Sequence, residues 1–325
     1  MLAYGPLGKL RQVLLDDNVG APDTNRTLLR VVNAAPDAGA LDIYLTGSTD
    51  TLDASVPVLA GVAVDAVADP ITLISGTSRL RVTAANSKTD LRLDVPALAL
   101  ASRQVATLVL SPALGGVLVK GLLLTQQGEI AAQAPTQARL RVAAGLSDGG
   151  RVSVRLGGAA LLSNINSPAV TQYVLVSAGT QTLDVAIGST SLPSSSFALV
   201  AGAEYTLLVN GPAAGAQVTW ITDDNNLPTD RTQAKVRLLN GAVGLAGDAS
   251  LSVDFTPLAD AVASGHVSAY TTLAATTTAQ VSVTAAGVAA PLFSGVDQTF
   301  TAASNYTVFV LGGAGSVTGF LRKDR

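Results

Sequence analysis

The stretch ARLRVAAGLSDGGRVSVRL, residues 138–156, joins an apolar strand that contains an arginine to a glycine turn and a second, alternating strand. The same order of features recurs in TLLRVVNAAPDAGALDIYL (27–45) and in AKVRLLNGAVGLAGDASLSVDF (234–255). Alternation such as RVSVRL places successive side chains on opposite faces of a sheet, one buried and one facing water. Along the sequence, the copies are separated by about the length of one small β-sandwich domain, which predicts a tandem repeat. Each copy has an arginine at the same place: Arg30, Arg141 and Arg237.

The later part of each copy is also shared. A hairpin, such as YVLVSAGTQTLDVAIG from Tyr173 or YTTLAATTTAQVSVTAAG from Tyr270, precedes two strands that meet at a Gly/Pro turn. These closing turns are Pro112–Gly116, Gly211–Gly215 and Gly312–Gly315. We therefore predict an all-β fold: a tandem array of three immunoglobulin-like antiparallel β-sandwich domains plus an extra N-terminal closing strand or hairpin. The predicted boundaries are 1–26 for the hairpin and its linker, then 27–130, 131–229 and 230–325 for the repeats.

Composition supports this fold class and excludes several functions. Hydrophobic residues make up 48% of the chain, charged residues 13% and aromatic residues 4%, which favours short β-branched strands over long surface helices. A net charge of −3 provides no basic surface for nucleic acid. The lack of cysteine excludes disulfides, thiolate metal sites and a cysteine nucleophile. We find no transmembrane run and no signal peptide after Met1, so an exported protein would have its targeting sequence outside this chain.

The first residues resemble the end of a repeat. LAYGPLGKLRQVLLDDN (2–18) matches LVNGPAAGAQVTWITDDN (208–225), and a lone hairpin cannot bury its apolar face unaided. It could fold back on the first repeat, each sandwich then using the preceding closing strand and leaving 316–325 unpaired. It could instead be donated to another subunit and build head-to-tail fibres. A gene start that cuts through an upstream repeat is the alternative. The residues expected to carry donation are Leu10, Val13, Leu14, Leu15, Val317, Phe320 and Leu321.

The first repeat resembles a known bacterial family, domain of unknown function 4397. Repeats of that family open with Arg-Val-Val, a run of small residues, Pro-Asp and an Asp-Val/Ile-Tyr strand. The matching segments here are Arg30–Asp37 and Asp42–Tyr44, while the second and third repeats lack the Pro-Asp. The resemblance implies a secreted or surface-attached bacterial β-sandwich protein and supplies no catalytic residues.

Acidic segments at two repeat junctions are weak candidates for calcium binding. Clustered carboxylate and amide oxygens are the ligands that calcium prefers. The equivalent segment after the first repeat, TQQGE (125–129), is nearly free of acids, and Asp and Asn are also good turn formers. We expect no cofactor, with calcium as the one alternative. The candidate residues are Asp16, Asp17, Asn18, Asp223, Asp224 and Asn225.

No constellation of catalytic residues is visible. His266 is the single histidine, and one histidine without converging partners builds neither a zinc site nor a catalytic triad. Trp220 lies on a closing strand at a position that aligns with Phe320 and Val13, which favours core or interdomain packing over a sugar platform. We therefore expect no enzyme.

Two functional hypotheses remain. The first is a non-enzymatic extracellular or cell-envelope structural protein, a repeat-built surface or fibre component. The alternative is a secreted binding or adhesion module that recognises glycan, calcium or a protein through loops at the sandwich ends. The expected partners are further copies of the chain or other cell-surface proteins.

Overall fold

The computed structural model describes residues 1–5, 10–16 and 18–325. Apart from one short 3-10 turn, Ala213–Gly215, the regular structure of these residues is β-strand, which confirms the all-β fold class. An N-terminal hairpin, β1 (Leu2–Tyr4) and β2 (Arg11–Val13), forms a two-stranded sheet of its own. The other strands of the described residues form six sheets, two for each sequence repeat.

Repeat 1 contains nine strands in two sheets. Its first sheet, in the order β11-β10-β9-β3-β6, uses β3 (Arg26–Asn33), β6 (Ile71–Ile74), β9 (Gln104–Pro112), β10 (Val119–Thr125) and β11 (Ile130–Gln133). Its second sheet, in the order β5-β4-β7-β8, uses β4 (Leu41–Thr46), β5 (Leu59–Val62), β7 (Gly76–Ala84) and β8 (Leu91–Leu100).

Repeats 2 and 3 follow the same plan. In repeat 2 the first sheet comprises β12 (Gln137–Leu146), β15 (Ala169–Val170), β16 (Val174–Ser177), β20 (Glu204–Gly211) and β21 (Gln217–Asp223), and the second comprises β13 (Arg151–Leu156), β14 (Ala159–Asn166), β17 (Gly179–Ile187), β18 (Thr190–Ser191) and β19 (Ser195–Leu199). In repeat 3 the first sheet comprises β22 (Gln233–Val243), β25 (His266–Val267), β26 (Thr271–Ala274), β29 (Ser304–Gly313) and β30 (Thr318–Lys323), and the second comprises β23 (Ala249–Val253), β24 (Thr256–Val262), β27 (Thr276–Ala285) and β28 (Phe293–Phe300).

One parallel strand pair in each repeat positions the recurring arginine. The first strand of each repeat pairs in parallel with the strand that precedes the closing strand, as β3 with β9, β12 with β20 and β22 with β29. The register places each arginine beside a threonine on the parallel strand. These pairs are Arg30 with Thr107, Arg141 with Thr206, and Arg237 with Thr307.

Apolar side chains from the two sheets of a repeat meet in its core. In repeat 1 the core includes Leu29, Ile43 and Leu108, and in repeat 3 it includes Val236 and Val308, all fully buried. Strand β13 shows the predicted alternation, since Val152, Val154 and Leu156 are buried while Arg151 and Arg155 are exposed. Burial of these side chains is the main favourable term in folding.

The chain divides into two compact units. Unit 1 comprises Met1–Ala138 with Val200–Ala203, and unit 2 comprises Arg139–Leu199 with Glu204–Arg325. Unit 2 therefore contains nearly all of repeats 2 and 3. The finer division into three sandwich domains stays a prediction.

Each closing strand completes the sheet of its own repeat. Strand β30 pairs with β29 from Tyr306 to Leu311, as β10 pairs with β9 and β21 with β20. The expected register in which each sandwich borrows the preceding strand, leaving 316–325 unpaired, is therefore wrong for this chain. The Gly/Pro turns are short enough for each strand to return directly beside its neighbour.

Two hairpins at equivalent places use different residues for the same turn. Gly157 and Gly158 connect β13 to β14 with φ of +56° and +82°, and Asp254 and Phe255 connect β23 to β24 with φ of +49° and +63°. Two-residue turns with both φ values positive suit glycine, whereas a phenylalanine in this region clashes with its own backbone. Phe255 is also 84% exposed, so it gains little from packing.

We expect Phe255→Gly to raise the free energy of unfolding of unit 2 by about 1 kcal/mol, because the left-handed conformation is unfavourable for a residue with a side chain. Thermal or urea unfolding followed by circular dichroism measures the change. The matched control is Gly158→Phe in repeat 2, which should lower stability. An unchanged or lowered midpoint for Phe255→Gly would contradict the turn assignment.

Candidate functional site: a buried arginine–aspartate cluster joining repeats 2 and 3

Within unit 2, the first sheets of repeats 2 and 3 pack face to face. Their apolar contact is centred on Ala143, Leu208, Ile221, Leu239, Phe309 and Leu311. Gly241 leaves space at this contact, because a Cβ there would lie 2.9 Å from Leu208 Cδ1 of repeat 2 and 2.7 Å from Leu311 Cδ2 of the adjacent strand. Leu208 thus fills space that glycine leaves in the facing sheet.

Two arginines cross this contact in opposite directions. Arg141 donates from Nε to Thr206 Oγ1 of its own repeat at 2.8 Å and pairs with Asp324 of repeat 3. Arg237 donates from Nε to Thr307 Oγ1 of its own repeat at 3.0 Å and pairs with Asp223 of repeat 2 at 2.5 Å. Both guanidinium groups are almost fully buried, as are both carboxylates. Each repeat therefore provides one cation and one anion to the other.

Both aspartates use their two oxygens on protein donors. Asp223 receives Arg237 at Oδ1, and its Oδ2 accepts from Thr206 at 2.7 Å and from the Tyr173 hydroxyl at 2.7 Å. Asp324 repeats the pattern with Arg141, Thr307 and Tyr270. These bonds compensate the removal of each charge from water.

A tyrosine covers each arginine. Arg141 lies with its guanidinium carbon 4.5 Å from the centre of the Tyr173 ring, and Arg237 lies 4.6 Å from that of Tyr270. The negative face of an aromatic ring attracts a cation, most strongly where water is excluded. The tyrosines therefore hold the arginines through their rings and the aspartates through their hydroxyl groups.

Polar residues at the edge of the cluster extend it. Glu204, fully buried, accepts from Arg139 at 2.7 Å and from Asn225 Nδ2 at 2.6 Å. Asn225 also donates to the Tyr173 hydroxyl at 3.2 Å. Lys235 lies 4.3 Å from the centre of the Tyr270 ring and donates to the main-chain oxygen of Asp224 at 3.0 Å. The segment after β21 is thus part of the contact rather than a solvated linker.

The cluster shifts the ionisation of its members in consistent directions. Burial acts to raise the pKa of Asp223, but Arg237 and Arg141 outweigh it and the pKa is lowered. Burial raises the pKa of Tyr173 and of Tyr270 well above the ordinary value. Burial acts to lower the pKa of Arg141 and Arg237, yet their acidic neighbours keep both pKa values raised. Asp223, Arg141 and Arg237 therefore stay charged, and Tyr173 and Tyr270 stay neutral, over a wide range of pH.

The calcium candidates have other partners in the structure. Asp223 and Asn225 are committed to the cluster. Asp224 accepts from the Asn226 amide at 3.1 Å and Asp16 from the Asn18 amide at 2.9 Å, both the short-range bonds of turn-forming residues. Asp17 lies outside the described residues. Across residues 1–5, 10–16 and 18–325, no group of three or more acidic or histidine side chains has the arrangement for a metal ion.

The other predicted residues are dispersed. His266 is exposed, with Nδ1 3.0 Å from the Ser264 oxygen. Among the residues expected to carry strand donation, Leu10 and Leu14 are exposed, whereas Val13 and Leu15 are partly buried. Val317 and Leu321 pack against the core of repeat 3, and Phe320 packs against the apolar contact between repeats 2 and 3.

Trp220 packs inside repeat 2. Its ring is stacked on Phe197 at 4.2 Å and lies edge-on to Tyr205 at 6.2 Å, and the residue is half-buried, which favours packing within repeat 2 over a sugar platform. The alignment with Phe320 is wrong by one residue. Trp220 is opposite Leu207 as Leu321 is opposite Val308, because strand pairing rather than residue type sets the equivalence.

The functional residues that sequence reasoning missed are the arginines and tyrosines of the cluster. An arginine that recurs within an apolar strand is itself a signal, since a buried guanidinium requires an anion. The partner is not visible in the sequence because Arg141 and Asp324 are 183 residues apart.

We expect Asp223→Asn to lower the free energy of unfolding of unit 2 by about 3–5 kcal/mol, because it leaves Arg237 buried without its anion. Urea unfolding measures the loss. The matched control is Asp224→Asn, whose side chain is 64% exposed and which should cost less than about 1 kcal/mol. Equal losses in the free energy of unfolding for the two variants would show that the buried ion pair contributes no more than an exposed aspartate.

We expect stability to fall above about pH 10, the ordinary tyrosine pKa. A neutral Tyr173 or Tyr270 contributes fully below the unfolded pKa, and the contribution is lost as the pH rises through the raised folded pKa. Tyrosinate absorbance and thermal unfolding from pH 7 to 12 test this. The loss should be smaller in Tyr173→Phe/Tyr270→Phe, and an identical profile in that variant would refute the assignment.

Among solved structures the chain is similar to a "putative cell adhesion protein" from Bacteroides uniformis, with 13% identity and a TM-score of 0.25 over 61% of this chain and 97% of that one. It is also similar to the TIE protein of Bacillus anthracis, with 9% identity and a TM-score of 0.19 over 89% of this chain and 50% of that one. Both TM-scores are too low for the likeness to bear on fold or function. No curated protein matches the chain.

The residues that match a known family include several members of the cluster. The matched residues run from the start of repeat 2 into the first strand of repeat 3 and contain both Asp223 and Arg237. The motif from which the resemblance was inferred lies instead in repeat 1. Residues 138–246 match the family described as Domain of unknown function (DUF4397), which confirms the family expected from the sequence.

Proposed function

We propose that the protein is a non-enzymatic structural component of the bacterial cell exterior, built from sandwich repeats that are locked to one another through their sheet faces. The observation that carries this proposal is the reciprocal pairing of Arg141 with Asp324 and of Arg237 with Asp223 across two repeats. Such pairing resists sliding, because any other register leaves charges buried without partners. A protein that transmits load or spaces other groups needs that rigidity.

The chemistry of the cluster supports a structural role over a catalytic one. Strongly shifted pKa values often mark active sites, but ion-pair networks shift them too. Both oxygens of Asp223 and of Asp324 are bonded to protein donors within the same cluster. The lowered pKa of Asp223 keeps this carboxylate in one charge state, whereas a general acid or base needs a pKa near the working pH.

Two sequence features support placement outside the cell. The family resemblance implies a secreted or surface-attached protein, and the Thr- and Ser-rich strands that face solvent suit an exposed β-protein. Within the described part of the chain, no helix is long and apolar enough to cross a membrane.

Immunogold labelling of intact cells with an antibody against unit 2 tests the location. We expect label on the outer surface and its loss after brief protease treatment of intact cells. Label that appears only after lysis would overturn the proposal. A matched antibody against a cytoplasmic protein controls for cell integrity.

The second candidate function is a binding module that recognises calcium, glycan or a protein through the loops at the sandwich ends. Exposed apolar residues in such loops, Val56 and Phe255 among them, favour this candidate. Calorimetry with calcium and a glycan array separate the two functions. Saturable binding in either experiment would favour the binding module, and no detectable binding in both would favour the structural role.

Head-to-tail assembly by strand donation stays a prediction. It requires β30 to leave β29, to which it is paired over six residue positions, so that the edge of β29 can accept β2 from another subunit. Electron microscopy of the full chain and of a chain lacking residues 1–18 tests it. Filaments formed by the full chain and lost on deletion are the expected result, and filaments that persist unchanged would exclude donation by this hairpin.

A further inference from the structure

Repeat 1 has a sheet face built like the two faces that meet in unit 2. We call it the Arg30 face; it consists of Arg30, Val32, Thr107, Val109, Leu122 and Leu124. Arg30 donates from Nε to Thr107 Oγ1 at 3.2 Å, the same pair that Arg141 makes with Thr206 and Arg237 with Thr307. The strand registers place Val32 and Val109 where repeat 3 has Leu239 and Phe309.

The N-terminal hairpin covers this face as repeat 2 covers repeat 3. Leu2, Tyr4 and Leu15 pack on Val32, Val109 and their neighbours. The pairing of β1 with β2 gives Leu2 and Leu15 the positions that Leu208 and Ile221 hold in the hairpin of β20 and β21. Those two residues contribute the repeat 2 side of the apolar contact in unit 2. The hairpin is therefore a partial copy of a docked repeat.

Within the described residues, the polar contacts of this cover differ from those in unit 2. Among the described residues, the Arg30 guanidinium reaches beyond its own repeat only to the main-chain oxygen of Asp16, at 3.3 and 3.4 Å, whereas Arg237 meets a carboxylate. Gln126 takes the place of Asp223 and Asp324, each two residues after the residue opposite the threonine, and its Oε1 is buried without a hydrogen-bond partner. A cavity of about 350 Å³ lies beside these groups, between Leu2, Leu15 and Leu124.

We propose that the Arg30 face is a docking surface for the same face of a second copy of this chain, and that β1, β2 and Leu15 cover it in the monomer. The pairing would follow the arrangement inside unit 2, where two such faces meet through reciprocal contacts. A two-fold contact uses the same patch twice, so each copy offers Arg30 as donor and Gln126 Oε1 as acceptor to the other. Because Gln126 is neutral, we expect this pair to be weaker than the arginine–aspartate pairs of unit 2. The apolar residues Val32, Val109, Leu122 and Leu124 supply the buried area.

The side chains at the closest approach fit this arrangement. Where unit 2 places Gly241 of repeat 3 against Leu208 of repeat 2, repeat 1 has Ala34 and Val109 at the equivalent positions. The extra Cβ of Ala34 would face a valine, which lacks the δ carbons of Leu208. The hairpin itself is held at its edge by a partly exposed ion pair between Arg11 and Asp65, which solvent weakens.

Deletion of residues 1–18 tests the proposal by sedimentation equilibrium or light scattering. We expect the truncated chain to have twice the mass of the full chain, and a synthetic peptide of residues 1–18 to return it to the monomer mass. Val109→Arg in the truncated chain should also restore the monomer. The matched control Val56→Arg, at an exposed position between β4 and β5, should leave the dimer intact.

A second variant covers the case in which the truncated chain precipitates. Leu15→Asp in the full chain introduces a charge on the covered side of the hairpin and should also produce a dimer that Val109→Arg abolishes. A folded truncated chain that stays monomeric, a monomeric Leu15→Asp chain, or a dimer insensitive to Val109→Arg would each overturn the proposal. Strand donation makes the opposite prediction, since deletion would then remove assembly rather than create it.

Discussion

A buried guanidinium group is the constraint on which unit 2 depends. Removing an arginine from water costs several kcal/mol, and only a well-placed anion with further hydrogen bonds offsets that cost. Each arginine lies where the parallel strand of its own repeat offers a threonine but no carboxylate. The missing charge has to come from the neighbouring repeat, and the face-to-face packing of the two sheets follows from that requirement.

The apolar contact stabilises the packing of the two sheets, whereas the charged cluster fixes their alignment. Residues such as Leu208 and Phe309 supply the favourable free energy of burial, which does not depend strongly on register. The two ion pairs contribute little net stability but penalise every other alignment of the sheets. The glycine at Gly241 then allows the backbones to come close enough for both kinds of contact.

The fold follows from the sequence more directly than the site does. Alternation in RVSVRL and the recurrence of three similar segments predict paired sheets, because both depend on neighbouring residues. The role of Asp223 depends on Arg237 lying on a facing sheet, and no local pattern reports which faces meet. The sequence does not show the register of the closing strands either. Trp220 therefore aligns with Phe320 in the sequence, although strand pairing makes it equivalent to Leu321.

The sequence separations within the cluster set an order of events during synthesis. Asp223 and Arg237 are 14 residues apart and leave the ribosome almost together, whereas Arg141 waits for another 183 residues before Asp324 exists. Until then repeat 2 presents an apolar sheet face with an uncompensated cation to the cell. Nascent chains of this protein should therefore need chaperones for longer than the size of one repeat suggests. A chain that ends before Asp324 would keep this apolar face exposed permanently.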